Sequence, residues 1–253
     1  MPESEVVAIV VGASGSVGGT LASSLAAVPG WAVTATSRSI ESLSGLSSTV
    51  DKQRVADLTL AEGVSDLEAL TERVLVNRSA HAVLALPLGL FPGLLRLDEH
   101  VPDVVGKLIG SNCTAVVNAL AATLPVLAKC GRADVFLFGS HAIGQGYPLM
   151  APFIAAKAFI QELTEILQTE WGGKGIRSWC LNLGTVDSAA ERQLLPHANP
   201  ENWISPEEIA DLVVELTTGP RAIMNGGVIP VYRHTLDRYE TSFFDRIGRG
   251  LSE

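Results

Sequence analysis

The sequence predicts an α/β fold: a doubly wound parallel sheet of about seven strands with helices on both faces. Three observations predict it. Short apolar runs of β character alternate with helical patterns along the chain. The first, fourth and fifth runs, Val6–Val11, Ala82–Leu86 and Val135–Phe138, are nearly continuous apolar segments, as strands buried on both faces are. A glycine cluster separates the first run from the first helical pattern.

The expected strands, in order, are Val6–Val11, Ala32–Thr36, Arg54–Ala56, Ala82–Leu86, Val135–Phe138, Ile176–Leu181 and Val228–Pro230. The expected helices cover 17–28, 63–77, 103–129, 152–171 and 206–216. The last has the clearest start: Ser205 as cap, Pro206 at the first helical position, and Glu207 and Glu208 in the first turn. Pro125 is a candidate kink in the 103–129 helix. Residues 186–205 read as an irregular excursion suited to a lid over a substrate. No repeat, low-complexity tract or linker interrupts the pattern, which predicts one domain over 1–253.

Composition narrows the function. The chain has 253 residues, 47% hydrophobic and 18% charged, which suits one large core. Eighteen basic residues against 27 acidic ones leave a net charge of −9, which argues against nucleic acid or an anionic membrane as the main partner. Cys113, Cys130 and Cys180 have neither zinc-site nor disulfide-framework spacing; they read as thiols in a reducing cytoplasm, and no metal is expected. Met1–Glu5 is acidic and polar, so no signal peptide is expected. The apolar stretch Ala80–Leu95 is short and broken by Pro87, Gly89, Pro92 and Gly93, so no membrane span is expected there.

The glycine loop reads Gly12-Ala13-Ser14-Gly15-Ser16-Val17-Gly18-Gly19. Glycines let the backbone turn tightly and approach a pyrophosphate, and the helix N-terminus adds free N–H groups and positive dipole. A strand, this loop and a helix in succession are Rossmann-like, which places Gly12, Ser14, Gly15, Ser16, Val17 and Gly18 against a dinucleotide. The second strand runs into Ser37-Arg38, where an acidic residue would grip the ribose of NAD; serine and arginine suit the 2′-phosphate of NADP(H) instead. Asp57 and Leu58 follow the third strand, where Asp57 either meets the adenine amine or caps the next segment.

A second constellation lies on the 152–171 helix. Phe153 and Lys157 are four residues apart and project side by side. A tyrosine at 153 would give a phenol whose pKa the ammonium lowers, a proton donor. Phe153 keeps the ring without the hydroxyl. Lys157, set among Ile154, Ala155, Ala156, Ala158 and Phe159, is an expensive cation to bury unless a ligand needs it.

These motifs together resemble the short-chain dehydrogenase/reductase family over nearly the whole chain. The similarity runs from the glycine loop through Asp57, Asn112 and Ser140 to Lys157, then through Asn182–Asp187, Ser205–Ala210 and Asn225–Val231. The family's serine lies thirteen residues before its tyrosine, which lands on Ser140. The resemblance implies hydride transfer with NADPH. Ser140 binds the substrate oxygen, Lys157 holds the nicotinamide ribose, Asn112 anchors a water leading to the lysine, and Gly184 and Val186 contribute to the cofactor site. It also implies a homodimer or homotetramer through the helices of Asn112 and Phe153, whose faces include Ala115, Val116, Ala119, Ala122 and Thr123, and Phe159, Leu163, Ile166 and Leu167. Four departures stand out. Phe153 replaces the tyrosine, Ser16 replaces the middle glycine of the commonest loop spacing, Leu84–Gly89 replaces an Asn-Asn-Ala-Gly segment, and Leu183-Gly184 replaces the Pro-Gly after the sixth strand.

Local roles compete at each position. Ser140 also suits a turn cap, Asn112 can serve backbone groups, and Arg38 can be an ordinary surface arginine. Tyr147 and His141 follow Ser140; either can replace the missing donor, or Tyr147 can be a pocket wall. The expected lining, with Leu88, Leu90, Phe91, Ile143, Leu149, Met150, Leu194, Leu195 and Trp203, suits a bulky apolar small molecule. The expectation is an NADPH-dependent reductase of a polycyclic carbonyl or imine/iminium substrate in a specialised pathway. The alternative is a non-redox cyclase or a nucleotide-sensing binding protein on the same scaffold.

Overall fold

The structure, a computed structural model, describes residues 6–75, 81–99, 101–219 and 225–233. The polar start Met1–Glu5, Ala80 and the expected helix end beyond residue 75 lie outside the described residues.

Strand β1 (Val6–Val11) shows why a continuous apolar run is needed. All six residues are buried. Successive strand side chains point to opposite faces, so Val7, Ile9 and Val11 enter one core cluster and Val6, Ala8 and Val10 the other. The remaining strands are β2 (Trp31–Ser37), β3 (Asp51–Arg54), β4 (His81–Leu86), β5 (Ala133–Ser140), β6 (Ile176–Leu183) and β7 (Gly226–Val231). They form one parallel sheet in the order β3-β2-β1-β4-β5-β6-β7. Helices α1 (Ser16–Ala27) and α7 (Pro206–Thr218) pack together on one face; α2 (Ala61–Leu75), α4 (Ala115–Leu127) and α5 (Ala151–Trp171) cover the other. The expected doubly wound sheet is therefore present, and the order in which successive strands are added reverses between β1 and β4.

The structure moves two elements. β3 lies at 51–54 rather than 54–56, because Asp51–Arg54 is a polar edge strand paired only with β2. Val55 still donates to the Ser37 carbonyl at 3.0 Å, and Val55 and Leu58 then turn into the core. The single helix expected over 103–129 is α3 (Pro102–Ile109), a π turn at Gly110–Thr114, and α4. The irregularity sits at the π turn, not at Pro125, through which α4 continues to Leu127. Pro102–Cys130 is long and apolar enough to cross a membrane by length and composition, but over half of its most apolar window is buried against the chain itself, as in a core helix.

The expected assembly faces also shift. Ala115, Val116, Ala119, Ala122 and Thr123 are buried in this chain's own core, as is Leu167. The faces left outward carry Val117 on α4 and Phe159 and Ile166 on α5. At the amino end of the sheet, far along the strands from the glycine loop, the buried Asp134 receives His81 Nε2 at 2.6 Å, Arg177 Nε at 2.7 Å and Trp179 Nε1 at 2.8 Å. Burial pushes this carboxyl up, but these hydrogen bonds outweigh it and hold the carboxyl below its ordinary value. The cluster ties the starts of β4, β5 and β6 together.

Candidate functional site

The reversal point between β1 and β4 is where open α/β sheets take ligands, and the glycine loop lies there. Gly12 has φ +91° and donates to the Thr36 carbonyl at 3.1 Å; Ala13 donates to the same oxygen at 2.9 Å. A Cβ on Gly18 would sit 2.5 Å from the Gly12 carbonyl, so the turn itself requires both glycines. Gly15 differs: a Cβ there would meet only the Gly12 oxygen, at an ordinary 3.7 Å. Gly15 caps α1 with no side-chain cap and no acid in the first turn, and Ser14, Gly15 and Ser16 are exposed, with Val17 half-buried behind them. Free N–H groups at a helix start attract anions. An open groove of about 600 Å³ runs past Ser14, Ser16, Thr20 and Ser42, with Glu207 its one acidic side chain. These residues fit a dinucleotide pyrophosphate.

At the end of β2, the buried Ser37 hydroxyl pairs with Ser42 at 2.8 Å. Arg38 is exposed and reaches Asp57 at 3.4 Å, so the structure brings the two candidates together. Asp57 also accepts from the Thr59 N–H at 2.9 Å and its hydroxyl at 2.7 Å. These Thr59 bonds, with help from Arg38, hold the Asp57 carboxyl below its usual range. The capping role foreseen for Asp57 is thus present. Leu58 is buried, and its carbonyl accepts from Asn118 on α4 at 2.7 Å.

The second constellation gathers around Gly89. Lys157 is buried on α5 and donates to the Phe138 carbonyl at 2.9 Å and, at the limit of a hydrogen bond, to the Leu88 carbonyl at 3.5 Å. Burial pushes its ammonium down to about 8, against the opposing influence of the Cys180 and Cys113 thiols. Its nitrogen lies 5.7 Å from the Phe153 ring centre. Phe153 meets Phe91 edge to face at 5.0 Å. Asn112, in the π turn, is fully buried and donates to the Leu90 carbonyl at 2.9 Å and the Leu108 carbonyl at 3.0 Å. Its Oδ1 has no hydrogen-bond partner among the described residues. A Cβ on Gly89 would stand 2.6 Å from that oxygen and 3.1 Å from the lysine nitrogen, so only glycine lets the loop pass between them.

Ser140, at the end of β5, is buried and accepts from the Ala142 N–H at 3.2 Å, the turn-capping role, while its own proton remains for donation. Tyr147 packs its ring against His141 at 6.1 Å; Tyr232 packs on the same imidazole at 5.9 Å. Burial pushes His141 below its ordinary pKa. After β6, Gly184 donates to the Val231 carbonyl at 2.8 Å and lies close under Tyr232. Val186 bridges to Ile204, Asp187 and Arg192 pair at 2.6 Å, and Trp203 is buried, so 186–205 folds back on itself around the short helix α6 (Ala189–Leu194).

The supporting roles of four residues escaped sequence reasoning. Gly89 follows from no periodicity. Asn118 looks like any polar helix residue. Gly63 lets α2 pack on the Asp57 carbonyl, and Asn182 donates to Gln161 at 2.7 Å beneath the end of β6. A glycine in the first turn of a helix was the signal available for Gly63.

The strand order, with the glycine loop at its reversal point, defines a Rossmann-like α/β fold. Residues 6–199 match the family model described as short chain dehydrogenase. The chain belongs to that family, which is one of oxidoreductases that use nicotinamide cofactors. It is 27% identical over 252 residues to the A-factor type gamma-butyrolactone 1′-reductase (1S-forming) of Streptomyces virginiae, covering 89% of this chain and 93% of that one. It is 32% identical over 140 residues to the inactive 2-(S)-hydroxypropyl-CoM dehydrogenase 2 of Xanthobacter autotrophicus, covering 50% of this chain and 61% of that one. The glycine betaine reductase ATRR of Emericella nidulans is 23% identical over 233 residues, which are 88% of this chain. The chain spans only 18% of that reductase, and less than two thirds of the Xanthobacter protein. Among solved structures, the short chain dehydrogenase from Shigella flexneri superposes with a TM-score of 0.78 at 21% identity, over 90% of this chain and 91% of that one.

Proposed function

We propose that this chain is an NADPH-dependent reductase of a bulky apolar, ring-containing carbonyl or imine/iminium substrate in a specialised biosynthetic pathway, working in the cytoplasm without a tyrosine acid. The observation that carries the reading is Lys157. An ammonium buried beside Phe153 and, among the described residues, hydrogen-bonded only to backbone carbonyls is costly to keep. Ligand hydroxyls give it a purpose: Lys157 holds the nicotinamide ribose, Asn112 presents its unpaired Oδ1 to a water, and Ser140 orients the substrate oxygen. The glycine loop residues Gly12, Ser14, Gly15, Ser16, Val17 and Gly18 receive the pyrophosphate, with Leu58, Gly184 and Val186 along the groove. A bound reduced nicotinamide supplies a hydride to the electrophilic carbon. Because Phe153 carries no proton to give, a carbonyl oxygen takes its proton from the substrate's own phenol or enol, from a water held by Asn112 and Ser140, or from Tyr147; an iminium carbon needs none. Segment 186–205 serves as the lid. Leu90, Phe91 and Phe153 support an apolar substrate.

The choice of NADPH rests on Ser37 and Arg38. The exposed Arg38–Asp57 pair is worth under about 1 kcal/mol, so a phosphate dianion can draw Arg38 away. A charge-assisted phosphate contact is worth about tenfold in affinity or more. Titrating NADPH and NADH against the native protein and Arg38→Ala tests this. NADPH is expected to bind tighter than NADH, with the advantage lost in the variant; equal native affinities overturn the assignment. One observation favours the non-redox alternative: the half-chain likeness to a dehydrogenase named inactive. Cofactor oxidation during product formation separates the two.

A further inference from the structure

We infer that Leu88 restricts access of the nicotinamide half of the dinucleotide, making it the residue that sets how tightly the whole cofactor binds. The inference rests on the nucleotide-binding reading above. Leu88 follows β4 by two residues and so lies at the reversal point of the sheet, opposite Gly12, which follows β1. One of its methyl carbons, Cδ2, stands 2.8 Å from where a Cβ on Gly12 would be. Its carbonyl accepts from Lys157 Nζ at 3.5 Å. One residue therefore spans from the first glycine of the pyrophosphate loop to the buried ammonium. A nicotinamide dinucleotide must cover the same span, from its pyrophosphate at the loop to its second ribose at the lysine.

The chemistry of the segment is unsuited to that half of the ligand. Pro87 has no N–H to offer. Leu88 presents a branched apolar side chain, half-buried against the core cluster of α2, α4 and α5. Polar ligand atoms brought beside it lose water and gain no donor. On the other side of neighbouring Gly89 a Cβ would stand 2.6 Å from Asn112 Oδ1 and 3.1 Å from Lys157 Nζ, so the loop is closely flanked there. The Leu88 side chain beside Gly12 is the group that can swing aside. The adenosine end, at Ser37, Arg38 and Asp57, lies outside this restriction.

The test compares two probes on the native protein, Leu88→Ala and Leu88→Ile. NADPH spans both halves, and adenosine 2′,5′-bisphosphate carries only the adenosine end. Affinity is read by calorimetric or fluorescence titration, without turnover. Leu88→Ala is expected to bind NADPH about fivefold tighter or more and the bisphosphate unchanged; Leu88→Ile, which keeps the volume, is expected to match the native protein for both. If Leu88→Ala is too unstable to titrate, Leu88→Val is expected to move NADPH affinity in the same direction by less. Bisphosphate binding with unchanged or weaker NADPH binding in the smaller variants overturns the role of Leu88 and leaves the nucleotide reading standing. If neither probe binds any of the proteins, the nucleotide reading fails and takes this inference with it.

Discussion

Replacing Lys157 with methionine isolates what the buried ammonium costs. Burial lowers its pKa from the ordinary 10.5 to about 8. A drop of that size corresponds to on the order of 3 kcal/mol. Between the two values the unfolded chain holds a proton that the folded chain has released, so the folded state gains stability as pH rises through that window. Cys180 acts in the opposite sense: burial raises its thiol from 9.0 to about 11, so the folded state loses stability as pH rises from 9 to 11. Native protein and Lys157→Met share that thiol, so its contribution largely cancels in their difference. The variant also leaves the Phe138 carbonyl without its donor, a penalty of about 1–3 kcal/mol that does not vary with pH. The expected result is therefore a change with pH rather than a fixed offset. From pH 7 to pH 10 the native protein gains about 2–3 kcal/mol on the variant. Urea unfolding of both proteins at four pH values measures it. Parallel stability curves, within about 0.5 kcal/mol, refute the claim that a buried ammonium is being held at its own expense.

The other expectations are simpler to state. Gly89→Ala forces a methyl between Asn112 Oδ1 and Lys157 Nζ and is expected to destabilise the fold by about 1–3 kcal/mol and weaken nucleotide binding; thermal unfolding with a titration checks both. Phe153→Tyr is expected to change turnover only modestly, whereas Lys157→Ala abolishes nucleotide-dependent turnover; reductase activity appearing only in Phe153→Tyr would show that the native chain is no reductase. Tyr147→Phe lowering kcat by about a hundredfold with binding intact would make Tyr147 the proton donor. The outward faces of α4 and α5, with Val117, Phe159 and Ile166, are expected to pair in a homodimer or homotetramer. Sedimentation at micromolar concentration checks this, with Phe159→Glu shifting the protein toward monomer.

Much of the fold was legible because its strands are buried on both faces. Val6–Val11 and Ala82–Leu86 could hardly be anything else. β3 was misplaced for the converse reason: Asp51–Arg54 is an exposed edge strand with no apolar signature. The break at 110–114 was invisible because a π turn changes hydrogen bonding without changing composition. Within the site, residue types gave the candidates but not their partners. Nothing local says that Arg38 leans on Asp57, or that Asn118 holds Leu58. The assembly faces show the limit most plainly. Small apolar helix faces such as Ala115 and Val116 suit both a core and an interface, and only the packing of α4 against the sheet decides between them.

That ambiguity does not extend to Lys157. If the ammonium served only to lower the pKa of a neighbouring phenol, Phe153 would leave it without a task, and an apolar side chain would fill the same volume at lower free energy. A cyclase that used the pocket as a shaped template would gain from that replacement, because a template needs volume rather than a buried donor. A pure nucleotide sensor needs Ser140 at the end of β5 only as a turn cap, whereas the one bond it accepts leaves a hydroxyl proton available to a second ligand. The pair that persists is thus a cation suited to ribose hydroxyls and a donor suited to a substrate oxygen. Phe153 removes the proton source, and Leu88 narrows the approach of the cofactor. A site that keeps this pair while losing the phenol supports hydride transfer to substrates that carry their own proton or need none, which is the reading that cofactor oxidation and the Lys157 titration together put at risk.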